Sequence, residues 1–207
     1  MEIQLSQASK RYLNQKLFSD LDWQILPGER WGVLGGNGSG KSTLLKIVYG
    51  AESLSRGEIQ HFSKQQKLAP QEAARRIALS GPYLELIEEL PLREFLNFYE
   101  KFRPWPQGFS SGDLVARARL EPAIDRPIRY FSSGMKQRLR LSLALSGKEE
   151  LILLDEPTAN LDPQGVEWFQ ELLQAQLGQR SLIVASNFDE AELFYCRQQI
   201  DLKKFKG

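Results

Sequence analysis

Gly35, Gly36, Asn37, Gly38, Ser39, Gly40, Lys41 and Ser42 run consecutively and fit the spacing G-x-x-x-x-G-K-[S/T], with Thr43 next in line. That spacing makes a phosphate-binding loop. Glycines let successive backbone N–H groups turn inward around phosphate oxygens, an approach that larger side chains would block. A helix beginning near Lys41 aims the positive end of its dipole at the same point. Lys41 has the reach and charge for the β- and γ-phosphates, and the Ser42 hydroxyl is a ligand for Mg²⁺. Further along, Leu151-Ile152-Leu153-Leu154 ends in Asp155 and Glu156. A buried strand delivering two carboxylates at its C-terminal end suits metal and water chemistry. Asp155 would hold Mg²⁺, through water, and Glu156 would orient or deprotonate an attacking water. An apolar strand followed by two acids is common on protein surfaces; in the same chain as the phosphate loop it acquires meaning.

These residues need a frame. Arg30–Leu34 reads as a strand into the loop and 42–48 as a helix out of it. Leu21–Ile25 reads as a half-buried strand, Pro27-Gly28 as a turn and 57–62 as a turn and strand, with His61 on its solvated face. Residues 63–74 are polar and read as a loop before a strand at 75–80. From Leu92 to Ala123 the pattern turns helical. Phe95, Phe98, Tyr99 and Phe102 recur at three- and four-residue spacing, which places aromatics in a core. Beyond the breaker Arg103-Pro104-Trp105-Pro106, helices at 134–146, 164–177 and 189–195 alternate with strands at 151–154 and 181–185. Such alternation predicts a mainly parallel sheet covered on both faces.

Composition bounds the rest. The 207 residues are 42% hydrophobic, enough for one substantial core and a small inserted subdomain. With 27 basic and 26 acidic residues the net charge is +1, so nothing points to nucleic acid as a partner. The single cysteine, Cys196, excludes an intrachain disulfide and a cysteine metal cluster; it is either a buried apolar thiol or an idle surface one. No stretch approaches the ~20 apolar residues of a membrane helix. Met1–Leu5 alternates like a strand rather than a signal peptide, so the expectation is a soluble, cytoplasmic chain that meets a membrane only through a partner.

On these motifs the chain resembles the nucleotide-binding subunit of an ABC transporter over nearly its whole length. Phe131-Ser132-Ser133-Gly134-Met135 is similar to the family signature L-S-G-G-Q and precedes a helix as the signature does. Asp155-Glu156-Pro157-Thr158 matches the extended Walker B element and Asn160-Leu161-Asp162 the D-loop. Asp162 before Pro163 also suits a helix cap, a purely structural role. Tyr12 lies 23 residues before Gly35, where the family places the aromatic that stacks on adenine. The resemblance implies an α/β P-loop NTPase fold, a single ABC ATPase domain over 1–207. Its core sheet would be mainly parallel, with an antiparallel β edge and a small helical subdomain near 83–150. It implies ATP and Mg²⁺ as ligands. It also implies a head-to-tail dimer, either homodimer or heterodimer with a related ATPase, in which Ser132, Ser133 and Gly134 of one subunit meet the γ-phosphate held by the other. It further implies a separate membrane-spanning permease chain as partner, with this chain peripheral to the inner face of the membrane. The compact size is similar to the small subunits of bacterial export and cytochrome-biogenesis systems.

Three family positions depart. The Q-loop glutamine stands about twelve residues before the glutamate that is Glu94 here, which gives Pro82. Proline has no amide side chain for Mg²⁺ or water. The switch histidine after the last core strand is replaced by Asn187, which donates a hydrogen bond but carries no proton charge. The signature carries Ser133 for glycine and Met135 for glutamine. Either these are tolerated substitutions, or hydrolysis is slow and ATP acts largely as a dimerisation switch. Losing one charge-stabilising donor costs on the order of 10²–10³ in rate. The reading is therefore an ATPase powering a transporter, with Glu156, Lys41 and Asn187 in the catalytic roles. The rival is a soluble ABC ATPase acting as a nucleotide-controlled interaction switch. A chromosome or repair ATPase would need long heptad runs, which are missing. A small-molecule kinase would not need the 131–135 signature.

Overall fold

The computed structural model describes residues 1–13, 15–83 and 85–206. Strands β1 (Glu2–Tyr12) and β2 (Gln15–Ile25) form a hairpin, followed by β3 (Arg30–Leu34) and helix α1 (Lys41–Tyr49). Next come β4 (Arg56–Ser63), β5 (Gln66–Lys67), α2 (Pro70–Arg75) and β6 (Ile77–Ser80). The helices α3 (Leu92–Phe102), α4 (Ser111–Ala118) and α5 (Ser133–Ser146) lead to β7 (Leu151–Asp155). The chain continues through α6 (Pro163–Gln176), β8 (Ser181–Ser186), the short α7 (Glu190–Leu193) and β9 (Gln198–Asp201).

Two compact units result, one of residues 1–79, 149–156 and 179–207 and one of residues 80–148 and 157–178. The first carries both sheets. Its four-stranded sheet has the order β2-β1-β4-β5, with antiparallel pairing throughout. Its five-stranded sheet has the order β6-β7-β8-β3-β9, and β7, β8, β3 and β9 pair in parallel. The alternation of β1 and β2 turns Ile3, Leu21 and Ile25 inward, where they join Leu44, Leu45 and Ile47 of α1 and Leu153 of β7. Each of these side chains is almost wholly buried. Such burial contributes roughly 1.5–3 kcal/mol per residue relative to exposure, an upper estimate because unfolded chains are already partly collapsed. The parallel strands β7 and β8 are buried at every position, as expected for a sheet covered on both faces.

The second unit is helical. Leu92 and Leu96 of α3, Leu114 of α4, Leu139 of α5 and Ile128 in the turn before it make its core. Ser110 starts α4 by accepting the Asp113 N–H at 3.2 Å, while the Asp113 carboxylate accepts the Ser110 N–H at 2.8 Å. This reciprocal pairing satisfies two otherwise orphaned donors.

Three expectations need correction. His61 is buried, only 8% exposed, and its Nε2 lies 2.8 Å from the Val48 carbonyl. Val48 belongs to the last turn of α1, whose terminal carbonyls have no partner within the helix. The 63–74 stretch is not all loop, because β5 and α2 lie there and β6 begins at Ile77. Pro70 supplies a first helical residue that needs no donor, and the Glu72 carboxylate accepts the Ala69 N–H at 3.3 Å. The aromatics of α3 divide by burial, not by spacing. Phe95 is 6% exposed and Tyr99 packs beside the core, but Phe98 is 42% exposed and Phe102 71%, each against the other at 4.9 Å.

Candidate active site

The ends of three adjacent strands build the site. In the parallel register Asp155 of β7 pairs with Ala185 of β8, and Ser186 of β8 pairs with Leu34 of β3. The residues that follow each strand therefore emerge on one edge of the sheet: Gly35 after β3, Glu156 after β7 and Asn187 after β8. This is the carboxyl edge at which open α/β sheets place their ligands.

The loop from Gly35 to Gly40 is shaped by its glycines. Gly35 has φ 155°, and a Cβ there would stand 2.4 Å from the Ser39 Oγ. Gly40 takes φ 99° as it starts α1. Both positions need glycine for backbone direction and space. The loop, with Ser42 and Thr43, lines a cavity of about 370 Å³ whose other walls include Tyr12, Gln15, Leu17 and Glu156. Lys41 is 4% exposed, and its Nζ donates to the carbonyls of Gly35 at 2.8 Å and Gly36 at 3.3 Å. The same Nζ stands 3.8 Å from Glu156 Oε1.

Asp155 is 1% exposed, and neither carboxylate oxygen has a hydrogen-bond partner. Burial raises its pKa above the usual carboxylate range. The nearby Ser42 hydroxyl, without completing a hydrogen bond, and the Lys41 charge work in the opposite direction, while the Glu156 charge adds to the rise. A buried carboxylate without a partner is costly, and a cation beside a serine hydroxyl is what would relieve it. The pair Ser42 and Asp155 therefore fits Mg²⁺ as the family motif expects. No group of three or more His, Cys, Asp or Glu side chains suited to a metal occurs among the described residues, so any metal here must share its shell with phosphate and water. Glu156 has φ 47°, a left-handed conformation, and its N–H donates to the Ala185 carbonyl at 2.9 Å. That bend turns its carboxylate out of the strand toward Lys41.

Tyr12 lines the same cavity and is 45% exposed. Its hydroxyl donates to Glu52 Oε2 at 2.9 Å, and Lys10 Nζ lies 4.6 Å from its ring centre. Lys10 in turn donates to Glu52 Oε1 and to the Ser53 carbonyl, both at 2.7 Å. The Lys10 and Tyr12 hydrogen bonds hold the Glu52 carboxyl below its usual range. Lys10 and Glu52 were not foreseen from sequence as parts of the site. Asn187 is exposed at the end of β8 and does not line the cavity. Cys196 is half-buried, and burial pushes its thiol up to about 12, so it stays protonated and inert at neutral pH.

In the helical unit, Ser132 caps α5 by accepting the Met135 N–H at 3.2 Å. A Cβ on Gly134 would stand 3.1 Å from the Asn160 carbonyl, so the 132–134 segment lies against the 160–162 segment. Asp162 caps α6, accepting the Gly165 N–H at 2.7 Å. Gln137, buried in α5, donates to the Pro157 carbonyl at 2.9 Å. Ser133 and Pro82 are exposed, Pro82 within a turn.

A phosphate loop, an acid pair at the end of a strand one removed from it and a mainly parallel sheet define a P-loop nucleotide-binding domain. The sequence model of the ABC transporter family matches residues 18–159, and the chain belongs to that family. It is 34% identical over 195 residues to a Nod factor export ATP-binding protein I of Rhizobium johnstonii, covering 92% of this chain and 63% of that protein. The protein of the same name from Burkholderia thailandensis is 31% identical over 199 residues, with 92% and 64% covered. The chain thus spans under two thirds of the length of these relatives. A solved ATP-binding subunit of an ABC transporter superposes with a TM-score of 0.80 at 25% identity, over 97% of this chain and 85% of that one. A putative ABC transporter ATP-binding protein from Pyrococcus furiosus shares the fold, with a TM-score of 0.80 at 17% identity over all of both chains. So does a dimeric ATP-binding cassette in a post-hydrolysis state with ADP and Pi, with a TM-score of 0.77 at 23% identity over 93% of this chain and 90% of that one.

Proposed function

We propose that the chain binds ATP with Mg²⁺, dimerises around it, and hydrolyses it slowly to drive a membrane-spanning permease. The observation that carries this reading is the convergence at one edge of the sheet of Lys41, the partnerless Asp155 and the outward-turned Glu156. The loop N–H groups and Lys41 would bind the phosphates, with Lys41 exchanging its loop carbonyls for phosphate oxygens. Ser42 and Asp155 would hold Mg²⁺, which supplies charge neutralisation on the phosphates. Glu156 would orient a water for attack on the γ-phosphate and accept its proton. Tyr12, set by Glu52 and Lys10, would stack on the adenine ring. Ser132, Ser133, Gly134 and Asp162 would serve the nucleotide of the opposing subunit, whether that subunit is a second copy or a related chain.

Asn187 offers a hydrogen bond without charge and Pro82 offers no side-chain ligand, which supports slow turnover. The naming of the relatives as Nod factor export ATP-binding proteins supports an exporter rather than an importer, working at the inner membrane face through its permease. The test is Mg²⁺-dependent ATP hydrolysis by the purified chain beside Glu156→Gln, Asn187→His and the oligomeric state with and without ATP. Turnover abolished by Glu156→Gln and raised by Asn187→His would support the reading. No turnover in any of the three, with ATP-dependent dimers, would replace it with a nucleotide-controlled switch.

A further inference from the structure

The hairpin that carries Tyr12 has a second wall. Arg11, Leu13 and Lys16 alternate with Tyr12, Gln15 and Leu17; the latter three line the phosphate-loop cavity, whereas the former line a separate cavity of about 710 Å³. Its remaining walls include Ser9, Ser19, Ser55 and Arg56. Arg11 pairs directly with Lys16 across the hairpin, and Arg56 of β4 pairs with Ser9 on the other side of β1. Like charges placed directly opposite each other on a hairpin repel. Among the described residues none of these three cations has a carboxylate partner. Asp20 is the one acid on the wall, and Lys10 is already engaged by Glu52. Three exposed cations around a concavity of this size, with the Ser9 and Ser19 hydroxyls beside them, match the needs of a multiply charged oxyanion.

We propose that this cavity is a binding site for a phosphate-bearing anion, held by Arg11, Lys16 and Arg56. The anion would neutralise the cross-strand repulsion and brace the hairpin. Arg11 is tied to Ser55 through its backbone, its N–H donating to the Ser55 Oγ at 3.1 Å, and Tyr12 is tied to Glu52 three residues earlier in the same segment. A ligand gripping Arg11 and Arg56 therefore stiffens the support of the Tyr12 ring. That last consequence rests on the nucleotide reading given above; the anion site itself does not.

The test uses inorganic pyrophosphate titrated by calorimetry into the full chain carrying Lys41→Ala, which weakens the phosphate loop. The same titration follows in that chain with Arg11→Gln, Lys16→Gln and Arg56→Gln added. The expected result is saturable binding in the first, about tenfold or more weaker in the second, and suppressed by salt. Equal binding in both chains, or none in the first, overturns the proposal. Should the combined variant fail to fold, Arg56→Gln alone, outside the hairpin, carries the same comparison. Co-sedimentation with vesicles of phosphatidylcholine and phosphatidylglycerol then identifies the source. Retention that pyrophosphate competes away assigns a lipid headgroup, and pyrophosphate binding without retention assigns a free phosphate compound. Failure of ATP hydrolysis leaves this calorimetric result intact, so the two readings fail separately.

Discussion

Lys41 Nζ stands 3.8 Å from Glu156 Oε1 while donating to the carbonyls of Gly35 and Gly36. The cation proposed to bind phosphate and the acid proposed to activate water are thus already neighbours, and both are held by backbone. Lys41 is anchored by its own loop and Glu156 by the N–H bond to Ala185. The two residues have separable roles. Glu156→Gln should lower ATP turnover by about 10²-fold or more while leaving ATP affinity within a few-fold, because the amide keeps the shape but cannot take a proton. Lys41→Ala should weaken ATP binding itself. Single-turnover hydrolysis together with equilibrium ATP binding distinguishes the two.

Tyr12 is expected to act through its ring. Tyr12→Ala should weaken ATP binding by about 1–3 kcal/mol, the worth of one base–aromatic stack. Tyr12→Trp should retain it. Glu52→Gln should give an intermediate loss, since it leaves the ring in place but loosens its hydroxyl and the Lys10 brace. Titration with a fluorescent ATP analogue measures all three.

Asp155 sets function against stability. Its raised pKa means that the folded state favours the protonated form. The stability this provides is complete below the unfolded carboxylate value and is lost as pH rises through the folded one. Ionising this buried carboxylate in the fold is therefore a liability. Asp155→Asn should raise the thermal midpoint in the absence of nucleotide by an amount worth about 1 kcal/mol or more. It should also remove the further rise that Mg²⁺ with ATP gives the unaltered chain. Thermal melts with and without Mg²⁺-ATP supply both readings.

His61 works in the opposite sense. Burial lowers its pKa below the usual imidazole value, with the Val48 hydrogen bond opposing. Its contribution is complete above the unfolded value near 6.5 and is lost as pH falls through the folded one. The thermal midpoint should thus drop between pH 7 and pH 5 by more in the unaltered chain than in His61→Gln. An equal drop in both would remove His61 as its cause.

Much of the active site is legible in the sequence because its chemistry demands fixed spacing. The Gly35–Ser42 loop, the strand into it and the helix out of it need contiguous residues, and so does the apolar run ending in Asp155 and Glu156. What sequence cannot show is what a side chain meets across the fold. His61 alternates like a surface residue, yet the end of α1 covers it. Phe98 and Phe102 share the helical spacing of Phe95 and lie within about 60° of it around α3, yet both are exposed, and spacing alone does not say how far along that face the core extends. Strand β9 contributes a single apolar residue, Ile200, and exists because β3 offers a parallel edge. Lys10 and Glu52 carry no motif; only their meeting around Tyr12 reveals them.

The left-handed backbone at Glu156 has an evolutionary corollary. Glycine relieves that conformation at a saving on the order of 1 kcal/mol, so selection for heat resistance alone would favour Glu156→Gly. On the proposed reading, an acid at a position where folding prefers glycine is strain carried for the sake of chemistry. A library of this chain selected for heat resistance without a screen for turnover should admit glycine there, leaving a hardier protein without its proposed catalytic acid.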